Sequence, residues 1–196
     1  MEGAIIQWNC RGLKNKIDEI KLFIREHNPI AFCLQETFLT KNDNFNIKNY
    51  SFYSFDARDT QSRPSRGTCI LVRNDVSHTE VRLQSNLQAI ALKLTLHRTF
   101  TICSIYLPPS STLDIGDLED LTQQLPGPYA LLGDFNAHNS LWGCADFNRK
   151  GHILENFIDK KNLCILNDKS KTYIHPATGA SSAIDLQQKG LGMCGS

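Results

Sequence analysis

The 196-residue sequence lacks several features that would assign it to a class directly. It has no apolar run of about 18 residues, so no segment is long enough to cross a bilayer as a helix. Its first residues, MEGAIIQWNCRG, have too short an apolar run for a secretory signal. Its 21 basic and 20 acidic residues nearly cancel, so a surface for a polyanion must be local. We therefore expect an intracellular protein that makes no membrane contact.

The sequence also lacks a C-x-x-C pair, and its seven cysteines are scattered along the chain. Most of them lie in apolar runs, where a free cysteine behaves as a small hydrophobic residue. This pattern indicates a reducing compartment and structural cysteines, rather than a zinc site or a disulfide framework. With 41% hydrophobic residues and no repeat or linker, the chain is expected to form one domain with a sizeable core.

The order of predicted elements does not fit a doubly wound sheet, in which strands and helices would alternate throughout. The predicted strands are 4–8, 30–36, 67–74, 89–96, 98–107, 129–134, 163–167 and 182–186, and the predicted helices are 14–28, 114–125 and 151–162. Residues 37–66 are predicted to be mainly loop. A block of strands between two strand-and-helix units favours an α/β fold with two mixed sheets packed face to face and outer helices, a four-layer α/β sandwich.

Polar side chains stand at or near the ends of several predicted strands. They are Asn9, Glu36, Tyr106, Asp134, Asn136, His138 and Asp185. Taken singly, such residues are usually turn formers, solvated strand ends or core residues. Asp185 is less ordinary, because it lies between two apolar residues, where an ionised carboxylate needs a partner. Taken together, they supply the groups that phosphodiester hydrolysis requires.

Each residue type has a defined use in that reaction. Mg²⁺ prefers oxygen ligands and usually takes one or two carboxylates, one of which Glu36 can supply. A bound divalent cation polarises the phosphoryl oxygen and stabilises the leaving oxygen. Asp134 can deprotonate the attacking water, and Tyr106 can donate a hydrogen bond to the developing charge. The amides of Asn9 and Asn136 can orient water or phosphate without adding negative charge.

Five segments occur in an order that resembles the endonuclease/exonuclease/phosphatase superfamily, which has the DNase-I-like fold. They are QWNCRGL, LQETFL, YLPPSS, GDFNAHNSLWG and TYIHPATGASSAIDL. Within that superfamily, residues 5–186 resemble the endonuclease domain of jockey-like non-LTR retrotransposons. The resemblance implies a monomeric endonuclease that nicks double-stranded nuclear DNA with Mg²⁺, or with Mn²⁺ in its place. The reverse transcriptase of the parent element would be absent from this chain, and a cytoplasmic location is the alternative to a nuclear one.

The resemblance also implies roles for individual residues. Glu36 would hold the metal, and Asp134 would activate the attacking water. Tyr106 would contact the scissile phosphate, with Asn9 and Asn136 beside it.

The same resemblance implies roles for four further residues, with Asp185 counted among the catalytic ones and the other three as supporting. Asp185 would orient a catalytic histidine. Thr172 and Ser182 would lie near the DNA or the active site. His138 would support the site or belong to a loop without a role in it.

The sequence departs from the family pattern near residue 186. The family closes with a Ser-Asp-His segment whose histidine contacts the phosphate, and this sequence contains no Ser-Asp-His. We therefore expect a domain over 1–186 that lacks its last strand or strands, leaving an unpaired sheet edge, and an unrelated tail over 187–196. Two alternatives to an active DNA endonuclease follow. One is an inactive mobile-element relic, and the other is a different phosphoesterase of the superfamily, such as an abasic-site nuclease or an inositol or lipid phosphatase.

Overall fold

The computed structural model describes residues 3–40, 43, 45–55 and 67–167, and the backbone of 173–174, 181–182 and 185–190. The strands in this part of the chain are β1 (Ile5–Asn9), β2 (Ala31–Gln35), β3 (Tyr50–Phe55), β4 (Thr68–Arg73), β5 (Ser77–Val81), β6 (Gln88–Thr95), β7 (Thr99–Tyr106), β8 (Tyr129–Asp134), β9 (Cys164–Ile165), β10 (Tyr173–Ile174), β11 (Ser181–Ser182) and β12 (Asp185–Gly190). The helices are α1 (Ile17–His27), α2 (Ile115–Gln123) and α3 (Arg149–Lys161), with 3-10 turns at Leu13–Lys16 and Ser140–Trp142.

The strands form two mixed sheets and a small hairpin. The first sheet has the order β1-β2-β4-β3, with β1 and β2 parallel and the other pairs antiparallel. The second has the order β5-β6-β7-β8-β12-β9, in which β7 and β8 are the parallel pair. Strands β10 and β11 pair with each other. These connections place the two parallel pairs, β1–β2 and β7–β8, in opposing sheets.

Three apolar layers hold four layers of secondary structure together, as the α/β sandwich prediction requires. Residues of β2 alternate, so that Phe32 and Leu34 pack against Ile20 of α1, while Ala31 and Cys33 face the second sheet. The outer face of the second sheet packs against the apolar sides of α2 and α3. The predicted fold class is confirmed.

Within the two sheets, β3 and β5 were not predicted, and the reason lies in their composition. β3 carries the YSFYSF stretch that was assigned to a loop, and this assignment was wrong. Its aromatic residues pack on both faces of the sheet. Phe52 belongs to the apolar layer under α1, and Tyr53 belongs to the layer between the two sheets. β5 is an edge strand with mostly exposed polar residues, so its sequence has little apolar alternation.

The last strand of the second sheet lies further along the chain than predicted. The bounds 182–186 were wrong, because the structure places β12 at Asp185–Gly190 and extends it into the segment predicted as an unrelated tail. This strand pairs with β8 on one side and β9 on the other. Neighbouring strands fix its position, whereas the sequence QQKG carries no strand signal of its own. The limits of the domain stay a prediction.

The described cysteines have the structural character that was expected. Cys10, Cys33, Cys69, Cys103 and Cys144 are buried thiols, and Cys164 is exposed. None of the helices that the structure describes combines the length and apolarity needed to span a membrane.

Candidate active site

Four of the polar side chains singled out from the sequence meet where two parallel strand pairs end. Asn9 is the last residue of β1, and Glu36 directly follows β2. Tyr106 and Asp134 are the last residues of β7 and β8, and they stand opposite each other in register. Parallel neighbours end at the same edge of their sheet, and hydrogen bonds between the two sheets join these edges.

Asn9 occupies the centre of the group. Its amide nitrogen donates to Glu36 Oε1 at 2.9 Å and to Asp134 Oδ2 at 2.7 Å. Its amide oxygen accepts a hydrogen bond from the backbone N–H of Arg11 at 3.2 Å, which fixes the orientation of the amide. A neutral amide therefore bridges two carboxylates that would otherwise repel each other.

Tyr106 forms the second bond between the sheets. Its hydroxyl donates to Glu36 Oε1 at 3.0 Å. Tyr106 and Asp134 are buried, whereas Glu36 is half-buried. Two N–H or O–H donors thus converge on one oxygen of the most accessible carboxylate in the group.

Asn136 belongs to the turn that follows Asp134. Its backbone N–H donates to Asp134 Oδ1 at 3.0 Å, and its side-chain amide donates to the carbonyl of Leu107 at 3.0 Å. Asn136 has a left-handed backbone with φ 46°. This turn orients the Asp134 carboxylate and attaches the loop after β8 to the end of β7.

The backbone around Glu36 is also left-handed, with φ 53°. The Glu36 carbonyl accepts from the N–H of Gly12 at 2.8 Å, and the Gln35 carbonyl accepts from the N–H of Cys10 at 3.0 Å. Non-glycine residues reach this conformation at a cost of about 1–3 kcal/mol, which the surrounding contacts must offset. Glu36 is therefore held in an unfavourable conformation by its neighbours.

The first turn of α3 supports the loop after β8. Asn148 caps the helix by accepting from the N–H of Gly151 at 2.8 Å, and its amide donates to the Asn136 carbonyl at 2.9 Å. The buried ammonium of Lys150 donates to the carbonyls of Pro108 and Pro109. One helix end therefore holds the segments that follow both Tyr106 and Asp134.

A buried polar network beneath the site was not predicted from the sequence. Gln35 donates to Ser104 Oγ at 2.9 Å and accepts from the side chain of Gln7 at 2.6 Å. Thr68 lies 2.6 Å from the same Ser104 hydroxyl. In the sequence these residues look like ordinary strand residues, because the packing of the two sheets is what brings them together. Polar residues in an apolar strand were the one available signal.

Cys10 is close to the group but is not a nucleophile candidate. Burial, the largest cause, raises the pKa of its thiol to about 12. The nucleophilic thiolate is therefore absent near neutral pH.

The remaining predicted site residues lie apart from this group or outside the described side chains. The His138 ring bonds through Nδ1 to both oxygens of Asp146, at 2.9 and 3.0 Å. The backbone of Asp185 stands opposite Asp134 in the β12–β8 register, but its side chain lies outside the described residues. Thr172 and the side chain of Ser182 also lie outside them. The roles of all four stay predictions.

The sequence segment around the site matches a known family. The model of that family, described as endonuclease-reverse transcriptase, matches residues 100–188. The matched segment includes Tyr106, Asp134, Asn136 and Asp185. Residues 100–188 of the chain are therefore similar to the endonuclease–reverse transcriptase family.

The curated relatives of the chain are proteins of transposons and other mobile elements. The chain is 25% identical over 187 residues to the probable RNA-directed DNA polymerase from transposon X-element of Drosophila melanogaster, covering 93% of the chain and 20% of that protein. It is 26% identical over 183 residues to the RNA-directed DNA polymerase from mobile element jockey of Drosophila funebris, covering 91% and 20%. The chain therefore spans about a fifth of the length of these homologues.

Solved structures show the same fold. The endonuclease domain of TRAS1, a telomere-specific non-LTR retrotransposon, superposes with a TM-score of 0.78 at 16% identity, covering 95% of this chain and 83% of that one. A 3′ phosphatase from Neisseria bound to a product DNA hairpin gives 0.70 at 15% identity, covering 96% and 87%. An AP endonuclease from Archaeoglobus fulgidus gives 0.69 at 15% identity, covering 95% and 86%. The fold of the chain is DNase-I-like.

Proposed function

We propose that this chain hydrolyses phosphodiester bonds with Mg²⁺ and nicks double-stranded DNA, as the endonuclease domain of a retrotransposon-derived protein. The hydrogen-bonded group of Asn9, Glu36, Tyr106 and Asp134 carries the proposal. The names of the relatives support the retrotransposon assignment, since they are polymerases of mobile elements. In this proposal the chain acts on nuclear DNA as a monomer.

The donor set fits a hard divalent cation. Among the described residues there is no group of three His, Cys, Asp or Glu side chains that could hold a metal, so a zinc-type site has no support there. Mg²⁺ needs only one or two protein carboxylates, because water completes its coordination. The half-buried Glu36 is the residue that would hold it. When bound, the cation would polarise the phosphoryl oxygen and stabilise the leaving oxygen.

The other residues act on water and phosphate. Asp134 would take the proton of the attacking water, and the two N–H groups that reach its oxygens keep the carboxylate in one orientation. The amide of Asn9 links this base to Glu36 and so sets the spacing between them. Tyr106, which bonds to Glu36 in this structure, would donate to a phosphate oxygen as negative charge develops there. Asn136 holds the turn on which Asp134 depends.

Nicking of supercoiled plasmid by the purified chain tests the proposal. With Mg²⁺ the chain should convert supercoiled plasmid to the open circle. Glu36→Ala and Asp134→Ala should each lower the rate about 100-fold or more, since a lost base alone costs that much. Glu80→Ala, which removes an exposed carboxylate on β5, should leave the rate unchanged.

Three outcomes would contradict the proposal in different ways. A folded chain that binds plasmid without nicking it would indicate an inactive relic. Cleavage confined to a duplex with one abasic site, or release of phosphate from an inositol phosphate, would indicate another phosphoesterase. Unchanged nicking by Glu36→Ala and Asp134→Ala would place the reaction at another site.

A further inference from the structure

Two exposed residues beside the site have a backbone conformation that their side chains disfavour. Seven described non-glycine residues have positive φ, and four of them are asparagines, which tolerate it. The other three are Arg11, Glu36 and Phe38, with φ of 46°, 53° and 50°. All three lie on the two loops that follow β1 and β2. Such strain clusters at ligand-binding positions, where the surrounding structure maintains it.

Backbone hydrogen bonds hold these two loops together. The N–H of Gly12 donates to the Glu36 carbonyl at 2.8 Å, and the N–H of Leu13 donates to the Thr37 carbonyl at 3.0 Å. The Phe38 ring lies against Gly12, where an added Cβ would come 3.4 Å from Phe38 Cδ2. The two loops therefore form one unit.

The exposure of residues in this unit alternates sharply. Leu13, Thr37 and Leu39 are buried, whereas Arg11 is exposed and Phe38 keeps 36% of its surface exposed. Full burial of a phenyl ring stabilises a protein by about 1.5–3 kcal/mol, so the part of Phe38 that stays exposed on this strained, well-anchored loop is available to contact a ligand. Arg11 lies two residues from Asn9, and Phe38 lies two residues from Glu36. Both therefore lie at the rim of the proposed catalytic group.

We infer that Arg11 and Phe38 are a nucleotide-contact pair that positions DNA across the site. The guanidinium of Arg11 binds a backbone phosphate next to the scissile one, and the ring of Phe38 packs against the face of an adjoining base. A guanidinium matches phosphate geometry, and a base presents an apolar face to an aromatic ring. This inference rests on the proposed function and adds to it the two residues that select where the strand lies.

Binding measured without hydrolysis tests the pair separately from catalysis. In EDTA, affinity for a short DNA duplex is measured by fluorescence anisotropy over a series of salt concentrations. Phe38→Ala should weaken binding about tenfold, within the range that stacking on an aromatic ring contributes. Phe38→Trp should restore affinity to within about threefold of the parent chain. Leu22→Ala, which removes an exposed apolar side chain from α1, is the matched control and should have no effect.

The salt dependence of DNA binding measures the contribution of Arg11 separately. Arg11→Ala should lower the slope of log Kd against log salt by about one, the value for one lost phosphate contact, and Arg11→Lys should retain it. Arg98→Ala, at an exposed position away from these loops, should not change the slope. With Mg²⁺ and a labelled duplex, Phe38→Ala should also change the positions that are nicked.

Two results would overturn the inference. One is a Phe38→Ala chain whose affinity and nick positions equal those of the parent, and the other is an Arg11→Ala chain with an unchanged salt slope. If the parent chain binds DNA but does not nick it, the proposed function fails while the binding measurements still decide the role of the pair. Thermal unfolding of each variant establishes that it is folded.

Discussion

The hydroxyl of Tyr106 lies 3.0 Å from Glu36 Oε1, and this contact joins the end of β7 in one sheet to the end of β2 in the other. Asn9 makes the second such bond, from β1 to Asp134 at the end of β8. The candidate site is therefore built from both sheets. It forms only when the sheets pack in the correct register, which couples the geometry of the site to the stability of the sandwich.

Removing the hydroxyl of Tyr106 tests this coupling. Tyr106→Phe keeps the buried ring but removes a donor from Glu36, so unfolding free energy should fall by about 1 kcal/mol. The nicking rate should fall about 10- to 100-fold, because the donor to the developing charge is lost. Urea unfolding and plasmid nicking measure the two effects. Tyr53→Phe, which removes a hydroxyl bonded to His78 away from the site, should leave the nicking rate unchanged. An unchanged rate in Tyr106→Phe would remove Tyr106 from the mechanism.

Replacing the bridging amide of Asn9 with a carboxylate should introduce charge repulsion among the acidic side chains of the site. Asn9→Asp removes the donor to Glu36 and Asp134 and adds a third negative charge between them. We expect unfolding free energy near neutral pH to fall by about 1–3 kcal/mol, and Mg²⁺ to restore part of the loss by binding the folded state. Urea unfolding with EDTA and with Mg²⁺ provides the comparison. An Asn9→Asp chain as stable as the parent in EDTA would show that the bridge does not hold the two carboxylates together.

Strands with strong apolar patterns were predictable, and so was the site they carry. The alternation of Ile90, Leu92 and Leu94 placed β6 correctly with its apolar face inward. Asn9, Glu36, Tyr106 and Asp134 were singled out because each stands at or near the end of a predicted strand, and because together they supply groups that phosphodiester hydrolysis requires. Their proximity is now observed, whereas their catalytic roles stay predictions.

Features that depend on neighbours were not predictable. β12 is polar and takes its place from β8 and β9, while β3 uses aromatic residues on both faces. The Gln35–Ser104 bond arises only from how one sheet lies on the other. The left-handed backbone of Glu36 and Phe38 has no signal in the residue types, because neither residue favours that conformation.

The close approach of α3 to the loop after β8 depends on a glycine. A Cβ on Gly151 would lie 1.9 Å from the carbonyl oxygen of His138, so Gly151→Ala must displace the helix end or the loop. Alanine normally favours a helix by about 1 kcal/mol over glycine. We instead expect a loss of about 1–3 kcal/mol, as for other overpacked sites, together with slower nicking.

Gly116→Ala on α2 is the matched control for that change. Its added Cβ meets only the side chain of Asp114, at 3.1 Å, so this variant should be neutral or slightly more stable. Thermal and urea unfolding of both variants would measure the difference. Equal effects of the two substitutions would show that the α3 contact is not tight enough to constrain the loop.

The buried thiols should make the protein less stable in alkaline solution. Burial raises the pKa of Cys33 to about 12 and also raises the pKa of Cys103, whereas both thiols titrate near their ordinary values in the unfolded chain. Above about pH 9 the unfolded state therefore binds fewer protons than the folded state, and unfolding free energy falls as pH rises. Near pH 7 and below, both states keep these protons, so the contribution is constant there.

Urea unfolding between pH 7 and pH 10 would measure this slope. Cys33→Ala should flatten it, because one of the groups responsible is removed, even though the variant starts from a lower stability. Cys164→Ala removes an exposed thiol and should leave the slope unchanged. A Cys33→Ala chain with the same slope as the parent would mean that other groups, such as the tyrosines, account for the alkaline loss. Burial raises the pKa of Tyr50 and Tyr129 as well, and their effect should begin only near pH 10.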